Sequence, residues 1–454
     1  MSDLQTLVRR HRDLLLVTLA ALAVRLVWNL HVHRPIDYVF SDMGGYMERA
    51  QTSIDHPNDR LGYFTLFPWG THFFLSLLKR AFGARSGTAI GVAYALLGTA
   101  SVAYSFLLAR RLTRSVWVPR VVGVVLVVYY PWISLGGYTL SEPPFTCFLA
   151  ASTYYALGLA DRGRPRDAWL FGVTLAVAAV FRPQILMALP LLGLHWLLRR
   201  RAWRRFSPRR LVAVAVPLVI VLGVSAARME FHTGKLGLIS NNGPLNFTFG
   251  RCHALSITAT APDRTSSYSP PPLGELSRHE KQDPGSLMKL DPAMDTKLHF
   301  DGHIWESRPL YWMAAQCVRR GGLGRQVEYA LTHVVLLWGY NLMWPDMGQK
   351  PAFRRPMEIA SVLHVVLILP AALVAMALSL RRRNARVMLV ALHIYGLVAV
   401  AMLYFGDPRL RAPYDGILVL LAVMTYASAF RLVRRRLARS RARRRLLLEG
   451  ARAA

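Results

Sequence analysis

Acidic side chains are scarce in this sequence, and cysteines are scarcer. Its 454 residues include 25 aspartates and glutamates against 56 lysines and arginines, with only three cysteines. There is no zinc-ligand spacing, no glycine-rich phosphate loop, no Gly-x-Ser-x-Gly turn and no internal repeat. Those absences set aside zinc modules, P-loop chemistry, serine hydrolysis on an α/β sheet and solenoid folds. Charge is also nearly missing from the long apolar runs, where Arg25 alone lies well inside one.

What is present is hydrophobic length. The chain is 53% hydrophobic with a mean hydropathy of +0.28. Apolar runs long enough to approach a bilayer crossing recur at 14–30, 86–109, 116–134, 143–160, 168–181, 183–198, 211–227, 357–380, 387–404 and 414–430. The runs 168–181 and 183–198 are short and meet at Arg182-Pro183, where proline removes a backbone donor and restricts its predecessor. Residues 9–30 begin like a signal peptide, but the core is long and ends in Trp28, so it is expected to stay as the first span.

A net charge of +31 raises the question of nucleic acid, and the placement of the charge answers it. If the N-terminus is cytoplasmic and all ten runs cross, the inner segments hold 31 basic residues in 73 positions and the outer connections 24 in 188. That asymmetry is the one expected of a membrane protein obeying the positive-inside rule, so no nucleic-acid partner is expected. Crossings at 66–82 or 326–343 would reverse the inner arginine loops, so both segments are read as helices on the outer surface. The tail from Arg431 onward reads as a basic anchor to anionic lipid.

The expected organisation is a cytoplasmic N-terminus and first span (1–30), an acidic outer loop with a surface helix (31–85) and spans two to seven (86–227). A large outer region (228–356), spans eight to ten (357–430) and a cytoplasmic tail (431–454) follow. Within the large region, the proline-rich stretch 261–285 is expected to include a mobile loop. Cys252 and Cys317 both fall there, as a disulfide or as two free thiols, while Cys147 lies in a span. Arg25 is expected either to snorkel outward or to meet an anionic group near Asp42.

Twenty of the 25 acids fall at the outer ends of spans or beyond, so chemistry is expected there. Three features stand out: "DYVFSDMGGYMERA" after the first span, "TLSEPP" with Glu142 at the mouth of the fourth, and "YFGDPRLRAP" with Asp407, Arg409 and Arg411 before the last. Asp42 is suited to act as a general base, since Gly44-Gly45 allows close approach of a substrate and Tyr46 supplies a ring or hydroxyl. It could equally cap the helix that begins near Gly44. Arg409, Arg411 and then Arg182 are candidates to bind a phosphate through paired N–H groups, or they only anchor headgroups. Glu142 could bind sugar hydroxyls, assist Asp42, hold a divalent cation with it, or merely cap its span. Asn241 and Asn242 are amides suited to a sugar or acceptor, within what could also be an ordinary turn. His72, His232 and His253 are only weak candidates as metal ligands; no cofactor is fixed by the sequence, and a divalent cation stays open.

In layout the chain resembles the membrane-embedded GT-C glycosyltransferases, a group that includes protein O-mannosyltransferases and bacterial aminoarabinose and arabinofuranosyl transferases. The likeness rests on the acidic loop, a surface helix ending in Phe82-Gly83, "LLARRLTRS" after the second span, and the late "GDPRLRAP". That last stretch is similar to the family's Arg-Tyr-Arg-Leu-Pro pattern, with Leu410 in place of tyrosine, and Asp42 is followed by Met43 where many relatives have glutamate. The resemblance implies an all-α polytopic bundle of about ten spans in the cell inner (plasma) membrane. It further implies inverting transfer from a polyprenyl-phosphate sugar to a lipid, glycan or protein acceptor on the outer face. A transporter or flippase of lipid-linked glycan, and a silent scaffold on the same fold, are the competing readings.

Overall fold

The computed structural model describes residues 2–198, 207–253, 255–268, 294–338, 343–346, 349–381 and 384–453. The chain is mostly helical: α1 (Ser2–Val27), α2 (Asp42–Asp55), α3 (Gly70–Phe82), α4 (Ser86–Leu112), α5 (Trp117–Val127), α6 (Tyr130–Gly136), α7 (Glu142–Arg162), α8 (Pro165–Phe181), α9 (Ala188–Leu198) and α10 (Pro208–Thr233). After α11 (Asn242–Arg251) come three strands, β1 (Ser256–Thr260), β2 (Thr265–Tyr268) and β3 (Lys297–Asp301). The chain closes with α12 (Ser307–Trp338), α13 (Pro351–Leu363), α14 (Leu369–Arg381), α15 (Ala385–Leu403), α16 (Pro408–Arg411) and α17 (Asp415–Ala453).

Among the described residues, six helical stretches are long and apolar enough to cross a membrane, or seven if the α5–α6 pair, bent by 47°, is one broken span. The chain is a multi-pass membrane protein. The ten crossings expected from apolar runs are not reached on length and composition. The shortfall lies at α7, α8 and 183–198. The helix α8 has 17 residues, and Pro183–Leu198 begins with a 3-10 turn. The helix α7 is packed between α4 and α8 and is buried along most of its length. A helix screened from lipid can carry hydroxyls, and its Thr146, Ser152 and Thr153 bond back to carbonyls of their own helix.

The β-strands are a second departure, since an all-α chain was expected. Strand β1 is central, antiparallel to β2 and parallel to β3. Its sequence SITAT alternates buried and half-buried positions, the period of a strand, but five residues are too few to stand out against the apolar runs. A separate core lies beneath the sheet, formed by Leu66, Phe249, Ile257, Leu298 and Ile304. Cys252 and Cys317 are joined by a disulfide across it. Of the stretch expected to be a mobile loop, 261–268 includes β2, and 269–285 lies outside the described residues.

Arg25 takes neither expected course. It is buried, packs against Gly98 of α4 and donates to the carbonyls of Ala21 and Leu126. Leu126 lies in the last turn of α5, where carbonyls have no helical partner, so the guanidinium closes the break before α6.

Helix α3 ends at Gly83, whose φ of +50° is left-handed, and packs chiefly on α2. The loop 404–407 is clamped from two sides. A Cβ on Gly406 would collide with the His333 carbonyl, and one on Gly250 with the Tyr404 carbonyl. Backbone cannot yield cheaply in either case. Gly406→Ala is therefore expected to cost about 2–3 kcal/mol and lower the thermal midpoint in detergent. Gly44→Ala, with no atom within 4 Å of its added carbon, should leave the midpoint nearly unchanged.

Candidate active site

Four helix ends from distant parts of the sequence meet at one place: the N-termini of α2, α7 and α16 and the C-terminus of α8. Asp42 is the first residue of α2, Glu142 the first of α7, Arg182 the residue that ends α8, and Arg409 lies within α16. Their charges alternate. Arg409 donates to Asp42 Oδ2 at 2.9 Å and through Nε to Glu142, while Arg182 reaches the same Glu142 oxygen at 2.6 Å. Ser141 completes the chain, accepting from Arg182 Nε at 3.0 Å and donating to Glu142 Oε2 at 3.2 Å. Two carboxylates and two guanidiniums thus form one neutral network, the condition under which charges can be buried at tolerable cost.

Exposure grades along it. The Glu142 side chain is fully buried, Arg409 is 14% exposed and Asp42 28% exposed. Asp42 is the carboxylate a substrate can reach. It does not cap its own helix: Ser41 occupies the cap position, and no side-chain cap bond forms there. Ser41 instead has φ 48° and ψ −123°, a left-handed conformation rare for a non-glycine residue. Strain of this kind, about 1–3 kcal/mol, recurs where a functional side chain must be aimed. Of the paired glycines, Gly44 faces open space, while Gly45 leaves room for Arg49, which bonds its carbonyl.

Tyr46, one turn beyond Asp42, is buried against Phe67. Burial, then the Asp42 and Glu142 carboxylates, push its phenol up to about 12, so it stays protonated at neutral pH. Asp407 accepts the Arg409 N–H at 2.6 Å and caps α16. Burial raises its carboxyl above the usual range, against the opposing pull of that bond and of Arg409. The Arg409 guanidinium lies 4.4 Å over the Trp344 ring, which fixes its plane.

Arg411 is placed elsewhere. Its side chain is 3% exposed, paired with Asp415 at 3.1 Å and bonded to the Trp338 carbonyl. It is not available to a phosphate. Asn241 is tied to Thr65 and Asn242 to Ser240, which commits part of each amide to local structure. His72 lies beside Arg228, His232 beside the Leu61 N–H and His253 beside Tyr329, so the three do not converge on a common point. Among the described residues no group of three His, Cys, Asp or Glu side chains is arranged to hold a metal ion. Between Asp42 and Glu142, where a shared cation would sit, stands the Arg409 guanidinium. The donor set does not fit a divalent ion.

Trp344, Ser141 and Ser41 had not been singled out from sequence, nor had Asp346, which secures the Trp344 loop. Asp346 is buried and accepts from Ser134 and from Tyr138, the latter at 2.7 Å. Burial pushes its carboxyl up to about 6, against the pull of those two bonds. A carboxyl raised on folding holds its proton longer in the folded state. Its contribution is therefore complete below about pH 4 and falls as pH rises toward 6, by up to about 3 kcal/mol. The thermal midpoint of the wild type, relative to Asp346→Asn, should drop across that window. A difference independent of pH would show that Asp346 is not a buried titrating acid.

Residues 66–226 match the family model of the dolichyl-phosphate-mannose-protein mannosyltransferases. The resemblance to GT-C glycosyltransferases holds. The matched segment contains Glu142 and Arg182, while Asp42 and Arg409 lie outside it. Similar solved structures include ArnT from Cupriavidus metallidurans bound to undecaprenyl phosphate, at 15% identity and a TM-score of 0.40, covering 90% of this chain and 77% of that one. The apo state of the same protein is similar at 13% identity and a TM-score of 0.37, covering 90% and 76%. Likeness at that distance carries no argument about activity. No curated protein matches the chain.

Proposed function

We propose that this chain is an integral membrane glycosyltransferase that moves a sugar from a polyprenyl-phosphate donor to a lipid, glycan or protein acceptor on the outer side of the membrane. The observation that supports this reading most is the Asp42–Arg409–Glu142–Arg182 network, which presents one reachable carboxylate beside a guanidinium pinned from behind. Transfer to a hydroxyl requires a base, and departure of a lipid phosphate requires positive charge where negative charge develops. In the resting arrangement Arg409 is shared between the two carboxylates. A donor phosphate competes with Asp42 for Arg409, and its binding releases the Asp42 carboxylate to take the acceptor's proton. The acceptor oxygen then attacks the anomeric carbon as the bond to the phosphate oxygen breaks, inverting that centre. Glu142, held at the back by Arg182 and Ser141, keeps Arg409 in place during the exchange.

The reading is tested by incubating purified protein with radiolabelled polyprenyl-phosphate sugars in membrane lipid. Release of polyprenyl phosphate with one of the common donors is expected. No turnover with any of them, from folded protein and a mixture of cell-envelope acceptors, would overturn it.

A further inference from the structure

The far end of the bundle carries a second basic constellation that the proposed reaction does not use. Helix α7 begins at Glu142 and ends at Arg162, which separates its two ends by about 30 Å at 1.5 Å per residue, about the thickness of a bilayer's hydrocarbon core. At that distant end lies a cavity of about 380 Å³, bounded by Arg111, Arg162, Arg164 and Arg166. Asp167 also lines it. The other nearby acid, Asp161, is engaged by Arg386 at 2.8 Å. Among the described residues none of the four arginines makes a close ion pair, although the Asp167 and Asp161 carboxylates act on Arg111 from longer range, and four cations against Asp167 leave the cavity with an excess of positive charge.

Its lining extends along two helices. Ala100, Ala103, Tyr104, Leu107 and Arg111 all line it, at the i, i+3, i+4, i+7 and i+11 spacing of one face of α4. That face runs about 16 Å from the arginines toward mid-bundle. Small residues at 100 and 103 leave a furrow whose opposite wall is Tyr154 and Tyr155 of α7, the Tyr104 and Tyr155 hydroxyls meeting across it at 3.3 Å. Arg111 is pre-set at the head of the furrow, its guanidinium 4.1 Å over the Tyr154 ring and donating to the Tyr154 carbonyl at 2.7 Å. Gly158 provides the space, since a Cβ there would run into Arg111.

We propose that this cavity is a binding site for a phosphate-headed amphiphile, separate from the candidate active site. The phosphate monoester of a lipid in the leaflet opposite the network sits among the four guanidiniums, and its chain lies along the α4–α7 furrow. Arginine forks match phosphate oxygens, and juxtamembrane basic residues draw anionic headgroups. The furrow continuous with them, lined by alanines, Leu107 and three tyrosine rings, selects an amphiphile over a free ion.

Native mass spectrometry of the purified full chain titrated with dioleoyl phosphatidic acid tests this. The wild type is expected to retain the lipid, whereas the exposed-rim variant Arg162→Gln/Arg164→Gln/Arg166→Gln should bind it at least about tenfold more weakly. Ala103→Trp, which fills the furrow and leaves every arginine, should weaken it comparably. Dioleoyl phosphatidylcholine should not be retained. Equal retention by wild type and both variants overturns the proposal. So does displacement of the lipid by millimolar inorganic phosphate together with undiminished binding in Ala103→Trp, the signature of a site for free phosphate.

Discussion

Asp42→Asn is expected to lower glycosyl transfer by about 10²–10⁴-fold, the range over which a positioned base contributes, while leaving the fold intact. The substitution keeps an acceptor oxygen toward Arg409, and the Asp42 side chain is partly exposed at 28%, so little stability is at stake. The loss should fall on turnover and not on donor affinity, because the amide cannot take the acceptor's proton but no longer competes as an anion for Arg409. Single-turnover quench with labelled donor reads the chemical step directly. A variant with transfer within about threefold of wild type would remove Asp42 from the chemistry.

Arg409→Gln is expected to have the other large effect, on two readouts at once. The guanidinium bridges Asp42 and Glu142, and Glu142 is fully buried. Removing one partner of a buried charge network costs about 3 kcal/mol, read as a lower thermal midpoint in detergent. Loss of a preorganised cation at the developing phosphate charge removes about 10²–10³-fold in rate. Arg409→Lys separates the two contributions. It restores a charge but not the planar group that spans both carboxylates and stacks on Trp344, so stability should return in part and activity little. By contrast, Arg411→Gln should destabilise through Asp415 without a specific loss of donor binding, because Arg411 pairs with Asp415 and the Trp338 carbonyl, away from the network.

The contrast between Arg409 and Arg411 shows where sequence reasoning reached its limit. Both arginines were conspicuous as rim charges before the last span, and residue type favoured neither. Two positions apart on a short helix, they point in different directions, one to Asp42 and one to Asp415 four residues on. Asp42, Glu142, Arg182 and Arg409 were legible because charge beside long apolar runs is rare and costly, but their pairing across 367 residues was not. Ser41 had no signature, since its strained backbone depends on the surrounding fold. Trp344 and Asp346 stand in a short connection where composition indicates only a loop.

The bundle was legible for a related reason. Helices α1, α10 and α14 bury little of their apolar length, so they need apolar sequence to meet lipid, and they announce themselves. Helix α7 was read as the apolar run 143–160, but it is shielded by its neighbours, and its hydroxyls and prolines leave it short of a crossing on composition. Arg25 was visible as an anomaly, yet its partner is the Leu126 carbonyl at a helix break, and a carbonyl has no letter in the sequence.

The central claim is that a donor phosphate takes Arg409 away from Asp42, and equilibrium binding of polyprenyl phosphate to wild type, Arg409→Gln and Asp42→Asn tests it most directly. Binding at least about tenfold weaker in Arg409→Gln, and as tight as wild type or tighter in Asp42→Asn, is the expected result. Unchanged affinity in Arg409→Gln, or weaker binding in Asp42→Asn than in wild type, would contradict it.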